Sequence, residues 1–419
     1  MFMHIFDYSF LGDLAISPSM AARLAKIESI KSGSARFAEE NPMTAEEMAK
    51  LSMVMSTRES NDIEGISTED SRIFRLLTGH VKPRGHDEYE LLGYRDALSA
   101  IHNNHSSMDI DEKTILGLFA TMVSYTDAEP GYKTRNNEVV ERDASGRIVK
   151  KHRTVPASDV PDCMFQLMGA FAEARNDYSI PGLLLIPCFI LDFLKIHPFM
   201  DGNGRMSRLL TVLLLYQEGF DVCSYVSVEG IVNQSKADYY DALAQSEEGW
   251  FDNISDYMPF IEYAIGTVYL AYREMDRRMA VCIGKENKER RIERLLRNVS
   301  LPISKSEICA LMPDVSETYV ELVIHNLLNE GKIRMIGGRK SSRYLPIDRI
   351  RRIFPTGVRL LRRLRSTCGI NLCHKALEFV NDNTLFLKTP TPWFRVHHGW
   401  SLSVFFPMPP IFHAVCSRV

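Results

Sequence analysis

Apolar residues recur every three to four positions along most of the first 280 residues, the spacing of one face of a helix. Ser17-Pro18 opens one such run, which continues to Ile30, and the segment KSGS is expected to close it. Thr44, followed by Glu46 and Glu47, reads as the N-cap and acidic first turn of a second run, MTAEEMAKLSMVMSTRES. Further helical runs start near Asp87, Asp111 and Ser158. Residues 180–196 and 209–216 are apolar almost all round, so both belong in the middle of a bundle. Pro198 stops the first and Gly219 caps the second, which is expected to begin at about Asn203 and to leave a tight loop between the two. The helical period breaks once, in GYKTRNNEVVERDASGRIVKKHRTVPAS. There, 138–141 and 147–150 are short β-branched segments around the polar turn Asp143-Ala144-Ser145-Gly146, which predicts a β-hairpin.

Beyond a long helix from Asp256 to about Arg278 and the charged linker GKENKERR, the pattern changes. Residues 288–345 read as three helices (KERRIERLLRNV, SKSEICALM, SETYVELVIHNLLNEG) and then two strand-like runs, KIRMI and SSRYLP, about Gly337-Gly338. That is the order of a winged-helix module. From about Arg351 to Val419 a basic run, RRIFPTGVRLLRRLR, gives way to aromatics, His and Pro without a period. A packed or oligomerising extension, a disordered tail and an out-of-frame read-through product all fit this segment. The expected organisation is therefore a helical region over 1–110, a helical core with a hairpin over 111–280, a winged-helix domain over 285–350 and an unassigned tail over 351–419.

A net charge of -3 gives no global drive toward nucleic acid or acidic membranes. Asp7 and Asp13 interrupt the apolar N-terminus, against a signal peptide, and GLLLIPCFILDFLKI is too short and too charged to span a bilayer. The eight cysteines form no C-x-x-C pair and suggest no metal cluster, which fits a reducing, cytoplasmic compartment.

The loop between the apolar helices reads HPFMDGNGRMSR, from His197 to Arg208. Successive N–H groups around Gly202, Asn203 and Gly204 at a helix start form a concave donor array backed by the helix dipole, an anion site. Arg205 and Arg208 lie three apart on that helix and present two planar forks, more than one phosphate needs, which suits a di- or triphosphate. Asp201 would repel phosphate unless a hard cation such as Mg²⁺ lay between them. His197, with an ordinary pKa near ~6.5, suits a general base. Together these residues describe attack on a phosphate of Mg²⁺-bound nucleotide by a nucleophile that His197 deprotonates.

This stretch resembles the signature of the Fic family, H-x-F-x-[DE]-G-N-G-R-x-x-R, at every defining position. The resemblance implies a mainly α Fic core with a β-hairpin flap, followed here by a winged helix-turn-helix domain, and transfer of AMP from ATP to a protein hydroxyl, with pyrophosphate leaving. It makes His197 the base, Asp201 the Mg²⁺ ligand, Gly202 to Gly204 the anion hole, Arg205 and Arg208 the phosphate clamps and Phe199 the loop's anchor in the core. Upstream, SNDIEG (Ser60 to Gly65) resembles the inhibitory motif [ST]-x-x-x-E-[GN] of the N-terminally self-inhibited class, so that Glu64 is expected to pair with Arg208 and displace the γ-phosphate. The hairpin resembles the flap that holds a target by main-chain pairing, through Val139 and Val140. KADYYDALAQSEEGWF resembles the segment that closes over adenine, which makes Tyr239 a base contact, although Glu247 stands where relatives often carry Asn.

The implied partners are ATP and a protein target, including the chain itself, with no membrane; homo-oligomerisation is compatible with the sequence. Glu317 and Glu321 stand at the start of the presumed recognition helix and oppose a polyanion, while Arg334, Arg339, Lys340 and Arg343 partly compensate. A protein-contact or weakly DNA-binding module is expected. Other readings remain open at this point: removal of AMP, another nucleotide donor or a phosphocholine carrier, or a nucleotide-sensing DNA-binding regulator.

Overall fold

The computed structural model describes residues 4–142, 148–283, 288–299, 302–312, 315–336 and 342–347, and four short strands nearer the C-terminus. Two compact units divide the chain, 1–347 and 348–419. The first is helical: α1 (Pro18–Glu40), α2 (Pro42–Ile63), α3 (Asp70–Leu77), α4 (His86–Asn104), α5 (Glu112–Val123), α6 (Val160–Arg175), α7 (Gly182–Ile196), α8 (Asn203–Gln217), α9 (Val228–Gln234), α10 (Lys236–Ser246) and α11 (Met258–Ile283). Between α5 and α6 stands the hairpin of β1 (Glu138–Arg142) and β2 (Ile148–Arg153), paired antiparallel with Val139 opposite His152 and Val140 opposite Lys151. The predicted turn at 143–146 lies outside the described residues.

Local chemistry sets several helix starts. Ser17 accepts from the Met20 amide with Pro18 in the first turn, and Asp111 accepts from the Thr114 amide. Two boundaries differ from expectation. The helix that KSGS was expected to end runs on to Glu40, because Ser and Gly each cost a helix only about 1 kcal/mol or less, and Phe37 beyond them is buried. The second helix begins at Pro42, after Asn41, rather than at Thr44, since Pro is pre-set for the first turn.

The two apolar segments form the centre of the bundle. Every residue of α7 from Leu183 to Phe193 is buried, including Pro187. Its one carboxylate, Asp192, accepts from the hydroxyls of Tyr8 (2.6 Å) and Tyr257 (2.8 Å) and from the Trp250 indole (2.7 Å). Burial still pushes its pKa up to about 6, because those donors only partly replace lost solvation. Helix α8 starts at Asn203, as predicted, and ends with Gly219 at φ +76°.

Residues 288–347 add α12 (Lys288–Asn298), β3 (Ile303–Ser304), α13 (Lys305–Leu311), α14 (Glu317–Asn329), β4 (Ile333–Ile336) and β5 (Arg343–Pro346), with an antiparallel sheet in the order β3-β5-β4. A capping box of Ser304 and Glu307 starts α13. Glu307 also receives Arg343 at 2.9 Å and lies 4.0 Å from Arg58, which joins α13 to α2. Gly337, Gly338, Arg339 and Lys340 lie outside the described residues. In the second unit, β6 (Leu377–Val380), β7 (Thr384–Leu387), β8 (Phe394–Val396) and β9 (Leu402–Val404) form an antiparallel meander within the segment that sequence left unassigned. Among the described residues no helix is long and apolar enough to cross a membrane.

Candidate active site

The turn between α7 and α8 begins at His197, whose backbone is left-handed (φ 54°), a conformation that costs a non-glycine residue about 1–3 kcal/mol unless its surroundings hold it. Several contacts do so. Asn203 closes a ring on Phe199, accepting its N–H at 2.9 Å and donating to its carbonyl at 2.9 Å. The Phe199 ring is fully buried and stacks on Phe119 at 3.7 Å, the anchor role expected of it. Gly202 supplies φ +81°, which lets the next residues start α8. The Asn203 side chain is thus spent on the loop, while the amides of Gly202, Asn203 and Gly204 stand at the N-terminus of α8.

His197 is half-buried, and its Nδ1 lies 3.3 Å from the Leu194 carbonyl. A carbonyl only accepts, so Nδ1 carries the proton and the Nε2 lone pair is the basic position. Burial, and then the positive charge of Lys133, lowers the histidine pKa to about 4, well below the ordinary value the sequence suggested. The imidazole is therefore neutral at pH 7 and ready to accept a proton.

Both arginines of the motif are buried, and each meets a carboxylate from another helix. Arg208 donates to the Ser60 hydroxyl from Nε and to the Ser60 carbonyl and Glu64 Oε1 from Nη2, each at 2.8 Å. Ser60 and Glu64 stand at the end of α2. Arg205 pairs with Glu90 of α4, which in turn meets His86 at 2.6 Å. Glu64 lies against Gly204 of the nest: a Cβ added there would collide with its Oε1. No linear spacing pairs position 90 with 205, and sequence reasoning missed that carboxylate.

Asp201 faces solvent, its side chain 94% exposed and 3.9 Å from Arg205. Among the described residues no group of three His, Cys, Asp or Glu could hold a metal ion. A single exposed carboxylate fits Mg²⁺ that arrives with phosphate oxygens and waters, and does not fit a resident metal.

Tyr239 lies beside Arg208 but is buried, packed among Tyr240, Phe260 and Tyr263 and lining an apolar cavity of about 70 Å³ with Ser207 and Arg208. Its neighbour Tyr240 is the more exposed ring, its hydroxyl pushed up to about 12 by desolvation and then by the nearby Glu64 carboxylate. Glu247 receives Lys195 at 3.2 Å and meets His152 of β2, so it ties the hairpin to the end of α10. Val139 and Val140 pair through their backbones in β1.

Residues 109–215 match the model of the Fic/DOC family. The chain is 30% identical over 182 residues to the "Protein adenylyltransferase Fic" of Drosophila erecta and, equally, to that of Drosophila melanogaster; each match covers 42% of this chain. The matched region spans about a third of those relatives, 32% of their length. The fold is similar to the crystal structure of a Fic family protein from Desulfovibrio desulfuricans G20, with a TM-score of 0.53 and 21% identity, covering 80% of this chain and 97% of that one. The segment that matches the Fic/DOC family model, residues 109–215, carries α5, the hairpin, α7, nearly all of α8 and the loop from His197 to Arg208 between them.

Proposed function

We propose that this site transfers AMP from Mg²⁺-bound ATP to the hydroxyl of a protein side chain, and that Glu64 restrains it. The observation that carries the reading is the juxtaposition of the amide nest at Gly202–Gly204, the free Nε2 of His197 and the two arginine forks at one turn. The relatives' name, protein adenylyltransferase, supports the same reaction class.

In this mechanism the target hydroxyl oxygen attacks the α-phosphorus, its proton passes to His197 Nε2, and the bond from the α-phosphorus to the bridging oxygen breaks to release pyrophosphate. The nest and Arg205 stabilise charge on the phosphate oxygens, and Arg208 orients the γ-phosphate. Asp201 would hold Mg²⁺, whose contribution is neutralisation of phosphate charge. With Arg208 engaged by Ser60 and Glu64, the γ-phosphate lacks its fork and the α-phosphate is out of line with the nucleophile. The hairpin presents the target by strand addition, which reads backbone and tolerates varied Ser, Thr or Tyr sites, including sites on the chain itself. A cytoplasmic location, with no membrane partner, goes with this reading.

Residues 288–347 are read as a winged helix that contacts protein. Lys305 pairs with Glu317 at 2.7 Å and with Glu321 at 2.5 Å, so one lysine faces two acids at the start of α14, an unfavourable surface for DNA.

The test is incubation of wild type, Glu64→Gly and His197→Ala with Mg²⁺ and ATP labelled on the α-phosphate. Label should enter protein most strongly in Glu64→Gly and be absent from His197→Ala. Equal labelling of His197→Ala would remove the catalytic assignment.

A further inference from the structure

Lys133 is buried, and the hydrogen-bond partners of its ammonium are all neutral: Asn137 Oδ1 at 2.8 Å, Thr154 Oγ1 at 3.1 Å and the Ile196 carbonyl at 3.3 Å. All three N–H groups are used, yet a buried cation with no paired acid among the described residues is costly, and burial lowers its pKa to about 8. Such a group calls for a reason beyond packing.

The partners supply one. Asn137 is the residue before β1 and Thr154 the residue after β2, so the two feet of the hairpin meet at this ammonium. Thr154 Oγ1 also donates to the Asn137 carbonyl at 2.8 Å, which closes the feet on each other. On its other side the cluster grips the loop. The Lys133 amide donates to the Pro198 carbonyl at 2.8 Å, and Asn137 Nδ2 donates to the carbonyls of Phe199 (3.0 Å) and Met200 (3.4 Å). Carbonyls at 196, 198, 199 and 200 are thereby held from the hairpin side, bracketing the left-handed turn at His197.

We infer that Lys133, Asn137 and Thr154 are positioning residues that lock His197 and the base of the hairpin into one frame, so that a target hydroxyl delivered by the hairpin arrives in line with Nε2. This rests on the transfer reading above. A loosened frame leaves the nest and arginines to bind nucleotide while the imidazole drifts; a misplacement of about 1 Å lowers turnover by about 10²-fold.

The experiment uses the full chain carrying Glu64→Gly as parent, with Lys133→Met, Lys133→Arg and Thr154→Val added singly. Two readouts are taken: steady-state transfer, resolved into kcat and the KM for ATP, and hydrogen–deuterium exchange of peptides covering 197–204. Lys133→Met should lower kcat about 10²-fold with KM within about threefold, and should speed exchange in those peptides. Lys133→Arg, which keeps the donors, should recover most of both. Thr154→Val preserves shape and carries the test if Lys133→Met does not fold; it should give the same pattern, more weakly. Unchanged kcat and unchanged loop exchange in Thr154→Val, or equal loss in Lys133→Met and Lys133→Arg, would overturn the inference. A parent that labels no protein would remove the transfer reading alone, since the exchange rates then decide whether the cluster holds the loop.

Discussion

Arg208 donates to Glu64 Oε1 at 2.8 Å, although 144 residues separate the two in sequence. The contact joins the end of α2 to the second turn of α8, so a helix outside the segment that matches the Fic/DOC model engages the fork that the loop chemistry would offer to phosphate. The Ser60 hydroxyl and carbonyl complete the grip, each at 2.8 Å, which makes the engagement bidentate as seen from the guanidinium.

Glu64→Gly removes one charge-assisted hydrogen bond and the carboxylate against Gly204 of the nest. With such a bond worth about 1.5–3 kcal/mol, labelling from α-phosphate-labelled ATP should rise by about one to two orders of magnitude. No rise, with ATP affinity unchanged, would show that Glu64 does not restrain the site.

The pH profile follows from the direction of the His197 shift. Its folded pKa, about 4, lies below the unperturbed value, so the neutral base persists well into acid and is lost only as pH falls through about 4. In Glu64→Gly the acidic limb of kcat/KM should accordingly fall below pH ~5 rather than near ~6.5. The Glu64 charge acts to raise this pKa, so loss of that charge by itself shifts the limb downward. A limb near the ordinary histidine value would mean that the imidazole is more solvated than its burial indicates.

Gly204→Ala separates packing from phosphate binding. In the wild type the new Cβ collides with the Glu64 carboxylate, and the nearest atom of any other residue is Arg208 Nη1 at 3.4 Å. The substitution should therefore destabilise the wild-type chain in thermal unfolding and do so much less in the Glu64→Gly background, a non-additive pair. Transfer should stay low in the double variant, because a methyl group now covers the amides that would cradle phosphate.

Glu90→Gln tests the second internal carboxylate. Arg205 is buried, and removing the charge of Glu90 leaves its guanidinium only the exposed Asp201 carboxylate at 3.9 Å, a loss of a buried pair that costs about 3–5 kcal/mol. Unfolding temperature should drop by several degrees, and Mg²⁺-ATP should restore more of it than it adds to wild type, since phosphate replaces the lost carboxylate. An equal ATP-induced shift in both proteins would separate Arg205 from the nucleotide.

The twelve residues from His197 to Arg208 made the loop legible because every determinant is local. Pro198 prevents helix continuation, Gly202 permits the positive φ, and the nest amides are consecutive on the chain. The starts of α5 and α8 and the two strands of the hairpin were legible for the same reason, being set by caps and side-chain alternation within a few residues. The boundary of α1 was not, because the burial of Phe37 overrode the weak preferences of KSGS. Tyr239 was legible as a residue near the site but not as a buried one, since helical spacing leaves open which of two adjacent tyrosines faces inward.

Which distant groups face the loop depends on how the helices pack. From its residues alone the chain led to the expectation of a base, an anion nest, two forks and, through the SNDIEG resemblance, a pairing of Glu64 with Arg208. Packing of α2 and α4 against α8 decided that a carboxylate meets each arginine, and closure of the hairpin's feet decided that Lys133 stands behind His197. Local conformation is written in neighbouring residues, whereas the partner of a buried charge depends on which helices desolvate it, and burial is a property of the whole fold.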